Sequence, residues 1–209
     1  MNFKLIVFIA LLTGSLYSFA QESQMSVAEI ASFNKILKET AEMKSLQADF
    51  TQFKKLGFVD KEIISSGKIY IVHPVKMSWV YTSPTNYAMI FKNNKIYIND
   101  QGKKNTIDVG NNKQFEKISK LMASGFSGDL SSSKEYTVSY FKTSTHNLVY
   151  VKPNGKDVQQ YIQQIILSFD KKDHQISSLK LLEKGGNFTR FELKNKKINA
   201  TINDQVFAH

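Results

Sequence analysis

From Leu46 to Ile98 the apolar residues fall on every second position, in one short run after another. Phe50 is followed by Ile69 and Ile71, then Met77, Trp79 and Tyr81, then Tyr87, Met89 and Phe91, then Ile96 and Ile98. A period of two sends alternate side chains to opposite faces of an extended strand, so this stretch commits the chain to a sheet with one apolar face. Gly67, His73-Pro74, Ser83-Pro84, Asn93-Asn94 and Asp100-Gln101-Gly102 punctuate the runs. Such spacing leaves room for hairpins and none for helical crossovers, which predicts an antiparallel sheet.

The same pattern returns further on. Strands are predicted over 135–141, 146–151, 159–170, 175–183, 187–193 and 198–202, with turns at Asn154-Gly155, Lys171 to His174 and Gly185-Gly186. Two segments read instead as helices. Ser26 and Glu29 have capping-box spacing ahead of Val27, Ile30, Phe33, Leu37 and Ala41, predicting a helix over about 26–45. Phe115, Ile118, Leu121 and Met122 predict a second over about 112–123, ended by Gly125. About ten or eleven antiparallel strands cannot stay flat and open, because a sheet of that size twists and leaves reactive edges. The expected fold class is mainly β (α+β): a curved antiparallel sheet forming an incomplete β-barrel, covered by a lid of α-helices.

The first twenty residues have another purpose. Lys4 precedes an apolar run from Leu5 to Leu12, and Ser18 and Ala20 stand three and one positions before Gln21, the pattern of a cleaved secretory signal peptide. The run is far short of the roughly twenty residues that span a bilayer. The expected organisation is a signal peptide over 1–20 and a single domain over 21–209, placed in the periplasm. A chain of 209 residues with 42% hydrophobic composition suits one folded core. It has no cysteine, which removes disulfides, thiol nucleophiles, iron–sulfur clusters, cysteine-ligated zinc and a lipid-modified N-terminal cysteine together.

The formal charge of +10 invites a nucleic-acid reading, but Arg190 is the one arginine. Base and phosphate recognition favours the planar fork of guanidinium, whereas scattered lysine usually solvates a surface or guards sheet edges, so no nucleic-acid partner is expected. Catalytic patterns are missing too. His73, His146, His174 and His209 share no ligand spacing, and Gly125-Phe126-Ser127-Gly128 is one residue short of a nucleophile elbow. Asp100, Asp108, Asp129 and Asp170 sit at predicted turns, where aspartate bonds its own backbone. The expectation is no catalytic residue, no metal, no cofactor and no enzymatic activity.

What stands out is residue size on one face of one strand pair. Met77, Trp79 and Tyr81 lie in phase with Tyr87, Met89 and Phe91, so large apolar groups crowd one side. A filled barrel core and an apolar cavity both satisfy that pattern. Methionine, which re-packs around varied guests, and a helical cover favour the cavity.

Several segments resemble the periplasmic outer-membrane lipoprotein carrier family, LolA: LQADFTQ (46–52), SSGKIYIVHPVKMSWVYTSP (65–84), IFKNNKIYIND (90–100) and FEKISKLMASGFSGD (115–129). The most specific piece is Gly67, His73, Pro74, Trp79 and Pro84 in that order. The resemblance implies an incomplete barrel with a helical lid over a hydrophobic cavity that holds the acyl chains of lipoproteins. It implies a lining role first for Met77 and Trp79, then for Phe50, Tyr81, Met89, Phe91, Leu121 and Met122. It implies as partners acylated lipoproteins, an inner-membrane ABC transporter of the LolCDE type and, where one exists, a LolB-like outer-membrane receptor, with the carrier a monomer. The family typically has an arginine before the proline that latches the lid; here the position is His73, a candidate latch with fewer donors or a turn histidine without that role. The alternative function is a periplasmic regulator that senses lipids or lipoproteins with the same half-barrel. A secreted esterase would need a Ser-His-acid arrangement that the sequence does not offer.

Overall fold

The computed structural model describes residues 21–73, 76–110 and 134–209. Twelve strands appear there: β1 (Ser23–Gln24), β2 (Ser45–Lys55), β3 (Ile63–Val72), β4 (Lys76–Ser83), β5 (Tyr87–Lys92), β6 (Lys95–Asp100), β7 (Lys103–Asp108), β8 (Tyr136–Lys142), β9 (His146–Pro153), β10 (Gln164–Asp170), β11 (Ile176–Leu182) and β12 (Phe188–Ile198). They form one sheet in the order β1-β8-β9-β10-β11-β12-β2-β3-β4-β5-β6-β7. Every neighbouring pair is antiparallel. Because β12 pairs with β2, two meanders join at the middle of the sheet, and β1 and β7 remain its edges. The sheet curves without closing, as expected for a half-barrel.

Some boundaries differ from expectation. The strand expected from 159 starts at Gln164, since Lys156–Gln159 is a single helical turn and the Ile162 amide donates to the Val158 carbonyl at 2.9 Å. The segment 198–202 is not a strand of its own; β12 runs through a bulge between Lys194 and Lys197 to Ile198, where pairing with Leu46 ends. β7 carries no alternation at all and is exposed along its length, so backbone pairing with β6 defines it.

The helix α1 (Val27–Ala41) opens as the capping box requires: the Ser26 amide donates to Glu29 Oε2 at 2.9 Å, and the Glu29 amide donates to Ser26 Oγ at 3.4 Å. It stops four residues before the expected end, and β2 starts at Ser45. Phe33 and Leu37 point into the core, Phe33 meeting Phe169 edge-on at 5.5 Å and Tyr140 at 6.4 Å. Val27, expected in that stripe, is 86% exposed. At 3.6 residues per turn it lies roughly a quarter-turn away from the Phe33–Leu37 line, beyond the reach of the sheet. The expected second helix, with Phe115, Leu121 and Met122, lies outside the described residues, so α1 is the principal helix seen over the sheet.

Packing divides the apolar face. Leu46, Ala48, Phe50, Val149, Val151, Leu167, Phe169 and Leu179 are nearly inaccessible beneath α1 and the curl of the sheet. A smaller core lies behind the sheet. Ser78 and Ile90, which are paired across β4 and β5, are buried, and so is Phe207 from a C-terminal 3-10 turn packed against β4. Lys92 Nζ donates to the Phe207 carbonyl at 2.5 Å, fastening the chain end there.

Candidate functional site

Cross-strand register shows how the sequence assembles its apolar face. One row reads Leu46, Ile71, Met77, Phe91, Ile96 across β2 to β6; the next reads Ala48, Ile69, Trp79, Met89, Ile98; a third reads Phe50, Gly67, Tyr81, Tyr87. Each row lies on one side because the hairpins preserve the period of two. Six sequence-designated residues, Phe50, Met77, Trp79, Tyr81, Met89 and Phe91, therefore share the concave face. Leu121 and Met122 lie outside the described residues.

Their environments differ. Phe50 and Trp79 are 2% and 7% exposed and belong to the packed core, whereas Met77, Tyr81, Met89 and Phe91 are half-buried. Phe50 lies edge-on to Tyr81 at 5.0 Å and to Phe191 at 5.8 Å, and Trp79 lies 5.8 Å from the same Phe191. Each such pair contributes about 0.5–1.5 kcal/mol beyond area burial. The cluster forms a floor, from which the half-buried Met77, Met89, Phe91, Ile96 and Ile98 continue along β4 to β6.

Gly67 sets the local shape. A Cβ there would lie 2.0 Å from the Val80 carbonyl oxygen, so only glycine permits the approach of β3 to β4 beside a register shift. Tyr81 is the polar feature of the floor. Its hydroxyl donates to Gln52 Oε1 at 2.7 Å, and burial, reinforced by Tyr87, pushes its pKa up to about 12. It stays a neutral phenol, which keeps charge off the surface.

His73 lies in the turn after β3, half-buried, with its amide donating to the Lys44 carbonyl at 3.0 Å. Its Nε2 is buried without a hydrogen-bond partner among the described residues. Among the same residues no cluster of His, Asp or Glu is placed to hold a metal ion. Asp108 and Asp170 accept from the amides of Gly110 and Lys172 at 3.0 and 2.8 Å, the turn role anticipated for them. This face offers apolar contact and the neutral hydroxyls of Tyr81 and Tyr87.

Three contributors escaped sequence reasoning. Ile96 and Ile98 carried the signal, being in phase with Phe91 and Met89, yet were read only as strand residues. Phe191 carried none, because nothing local says that β12 will curl toward β4.

Residues 41–209 match the family described as outer membrane lipoprotein carrier protein LolA. The chain belongs to the LolA family. The LolA match spans β2 through β12 and thus the whole apolar face described above. No functionally curated protein matches the sequence. Among solved structures, MucB of Pseudomonas aeruginosa in its complex with MucA aligns with a TM-score of 0.51 at 14% identity, over 87% of this chain and 61% of that one. This chain thus spans about three-fifths of the MucB chain, and the likeness is one of fold. A LolA superfamily protein from Nitrosomonas europaea aligns at 0.44 and 10% identity, over 86% and 97% of the two chains. Lipoprotein LppX from Mycobacterium tuberculosis aligns at 0.49 and 9%, over 85% and 99%.

Proposed function

We propose that this LolA-family chain is a periplasmic chaperone that binds the acyl chains of lipoproteins on its concave face and carries them from the inner to the outer membrane. The observation that carries this reading is the set of half-buried apolar side chains, Met77, Met89, Phe91, Ile96 and Ile98, in two adjacent rows across β4 to β6. On the other half of the sheet, Phe33 and Leu37 of α1 pack into the same core cluster as Phe50 and Trp79.

The physics makes such a carrier necessary. A protein bearing three long acyl chains loses about 0.8 kcal/mol per methylene on leaving a bilayer, on the order of 30 kcal/mol in all. A carrier must replace most of that burial and still release its cargo, which suits a loosely packed face of methionine and isoleucine. In this reading an ABC transporter of the LolCDE type loads the chain, and a LolB-like receptor, or the outer membrane itself, unloads it. Residues 1–20 direct export and are removed. Met77, Met89 and Phe91 touch cargo, Phe50 and Trp79 support them, and Leu121 and Met122 cover them.

Mass spectrometry of what co-purifies with the exported protein tests this. Acylated proteins are the expected result, and Met89→Glu should release them while circular dichroism stays unchanged. Phospholipid alone would overturn the carrier reading in favour of a regulator that senses lipids, a role compatible with the MucB-like fold.

A further inference from the structure

Six large apolar side chains stand exposed among the described residues, and four of them, Phe58, Ile63, Ile64 and Tyr161, gather at one end of the half-barrel. Phe58 lies in the β2–β3 connection and is 85% exposed. Ile63 and Ile64 are consecutive in β3, so they project to opposite faces of the hairpin. β3 takes up pairing with β4 only at Ser66, which leaves Ile63 to Ser65 paired on the β2 side alone. The hairpin is a finger with apolar groups on its tip and both faces, held from within by Lys55 Nζ donating to the carbonyls of Val59 and Asp60 at 2.5 and 2.7 Å.

The finger adjoins a basic groove. The Gly57 amide donates to Asn187 Oδ1 at 2.6 Å, and a Cβ on Gly57 would lie 2.2 Å from the Gly185 oxygen, so the β2–β3 connection beside Phe58 lies against the β11–β12 turn. That turn carries Lys184, which lines a surface groove of about 670 Å³ with Lys152, Lys156 and four glutamines. No carboxylate is among the described residues that line the groove. On the finger, Asp60 and Glu62 are offset by Lys54, Lys55 and Lys61.

A flat protein partner would cover one face of such a finger and leave the other wet. The headgroup–acyl boundary of a bilayer surrounds an inserted group on every side, and anionic headgroups attract the lysines beside it. We propose that this end of the half-barrel docks on an anionic lipid surface, with Phe58, Ile63 and Ile64 entering the interface and Lys152, Lys156 and Lys184 meeting lipid phosphates. This goes beyond cargo carriage and does not depend on it, since docking needs no acylated protein.

The absence of cysteine supplies the test. The exported, processed Phe58→Cys variant is labelled with an environment-sensitive fluorophore and mixed with vesicles of phosphatidylglycerol and phosphatidylethanolamine, or of phosphatidylcholine alone. The label should shift to the blue and brighten several-fold on the anionic vesicles, and the same label on Val27→Cys should not. Added salt should reverse the binding, because exposed charges are screened within about 10 Å at 0.1 M. Changing Lys152, Lys156 and Lys184 together to Gln should weaken it on the order of 100-fold, about five-fold per lysine. An unshifted Phe58 label on anionic vesicles at low salt would overturn the proposal and assign the finger to a protein partner. An equal shift at Val27, equal binding to phosphatidylcholine, or full binding by the triple variant would overturn it as well. Failure to dock by a protein that still retains acylated cargo would leave the carrier reading standing.

Discussion

The ring of Phe191 on β12 lies 5.8 Å from the indole of Trp79 on β4, although β2 and β3 run between their strands. In a flat sheet three strand spacings would hold them roughly 14 Å apart at the backbone. The contact records how tightly the middle of the sheet is rolled, and it joins the two meanders into one floor.

Gly67 permits that roll. Gly67→Ala places a methyl against the backbone of Val80 and Tyr81, which cannot swing aside as a side chain would. The expected cost is about 1–3 kcal/mol, read as a lower urea midpoint with an unchanged slope. A midpoint equal to that of the parent chain would show that the close approach is not needed.

Floor and lining should respond differently to truncation. Trp79→Ala removes a core side chain and should cost about 3–5 kcal/mol. Met89→Ala, half-buried, should cost under about 2 kcal/mol while losing most acyl-chain retention. Calorimetry and a fluorescent fatty-acid displacement assay separate the two effects; equal losses of stability in both variants would contradict the division of the face.

The start of α1 predicts a pH dependence. The Lys142 ammonium, followed by the amide and hydroxyl of Ser26, lowers the Glu29 carboxyl from its ordinary 4.5 to about 2. A carboxylate with a depressed pKa contributes stability that is fully present above the unfolded value and lost as pH falls through the folded one. The stability gap between the parent chain and Glu29→Gln should therefore narrow from about pH 4.5 down to about pH 2. Melting curves that stay parallel through that window would contradict the clamp between α1 and β8.

The rear core predicts that the C-terminus stabilises β4 to β6. His209 Nε2 lies 3.0 Å from the Ile98 carbonyl, and Phe207 is 3% exposed. Phe207→Ala should cost about 3 kcal/mol and raise amide exchange in β5 more than in β9. Uniform exchange across the sheet would argue that the chain end packs without local effect.

Much of this architecture was legible residue by residue. Capping needs only neighbours, so Ser26 and Glu29 announced the start of α1. Alternation needs only a strand and its hairpin, so Met77, Trp79, Tyr81, Met89 and Phe91 declared a shared face. β7 was not legible, since Lys103 to Asp108 bury nothing and are strand by virtue of hydrogen bonds to β6. The exposure of Val27 was not legible either, because an apolar residue on a helix does not state how far the opposing sheet extends.

The amino-acid order alone determined which side chains face together, because a period of two is a property of each strand and survives every antiparallel turn. Tertiary structure alone decided which of those side chains become floor and which stay half-open. That outcome depends on the curl of the sheet at Gly67, on the pairing of β12 with β2, and on where α1 comes to rest, all contacts between residues far apart in the chain.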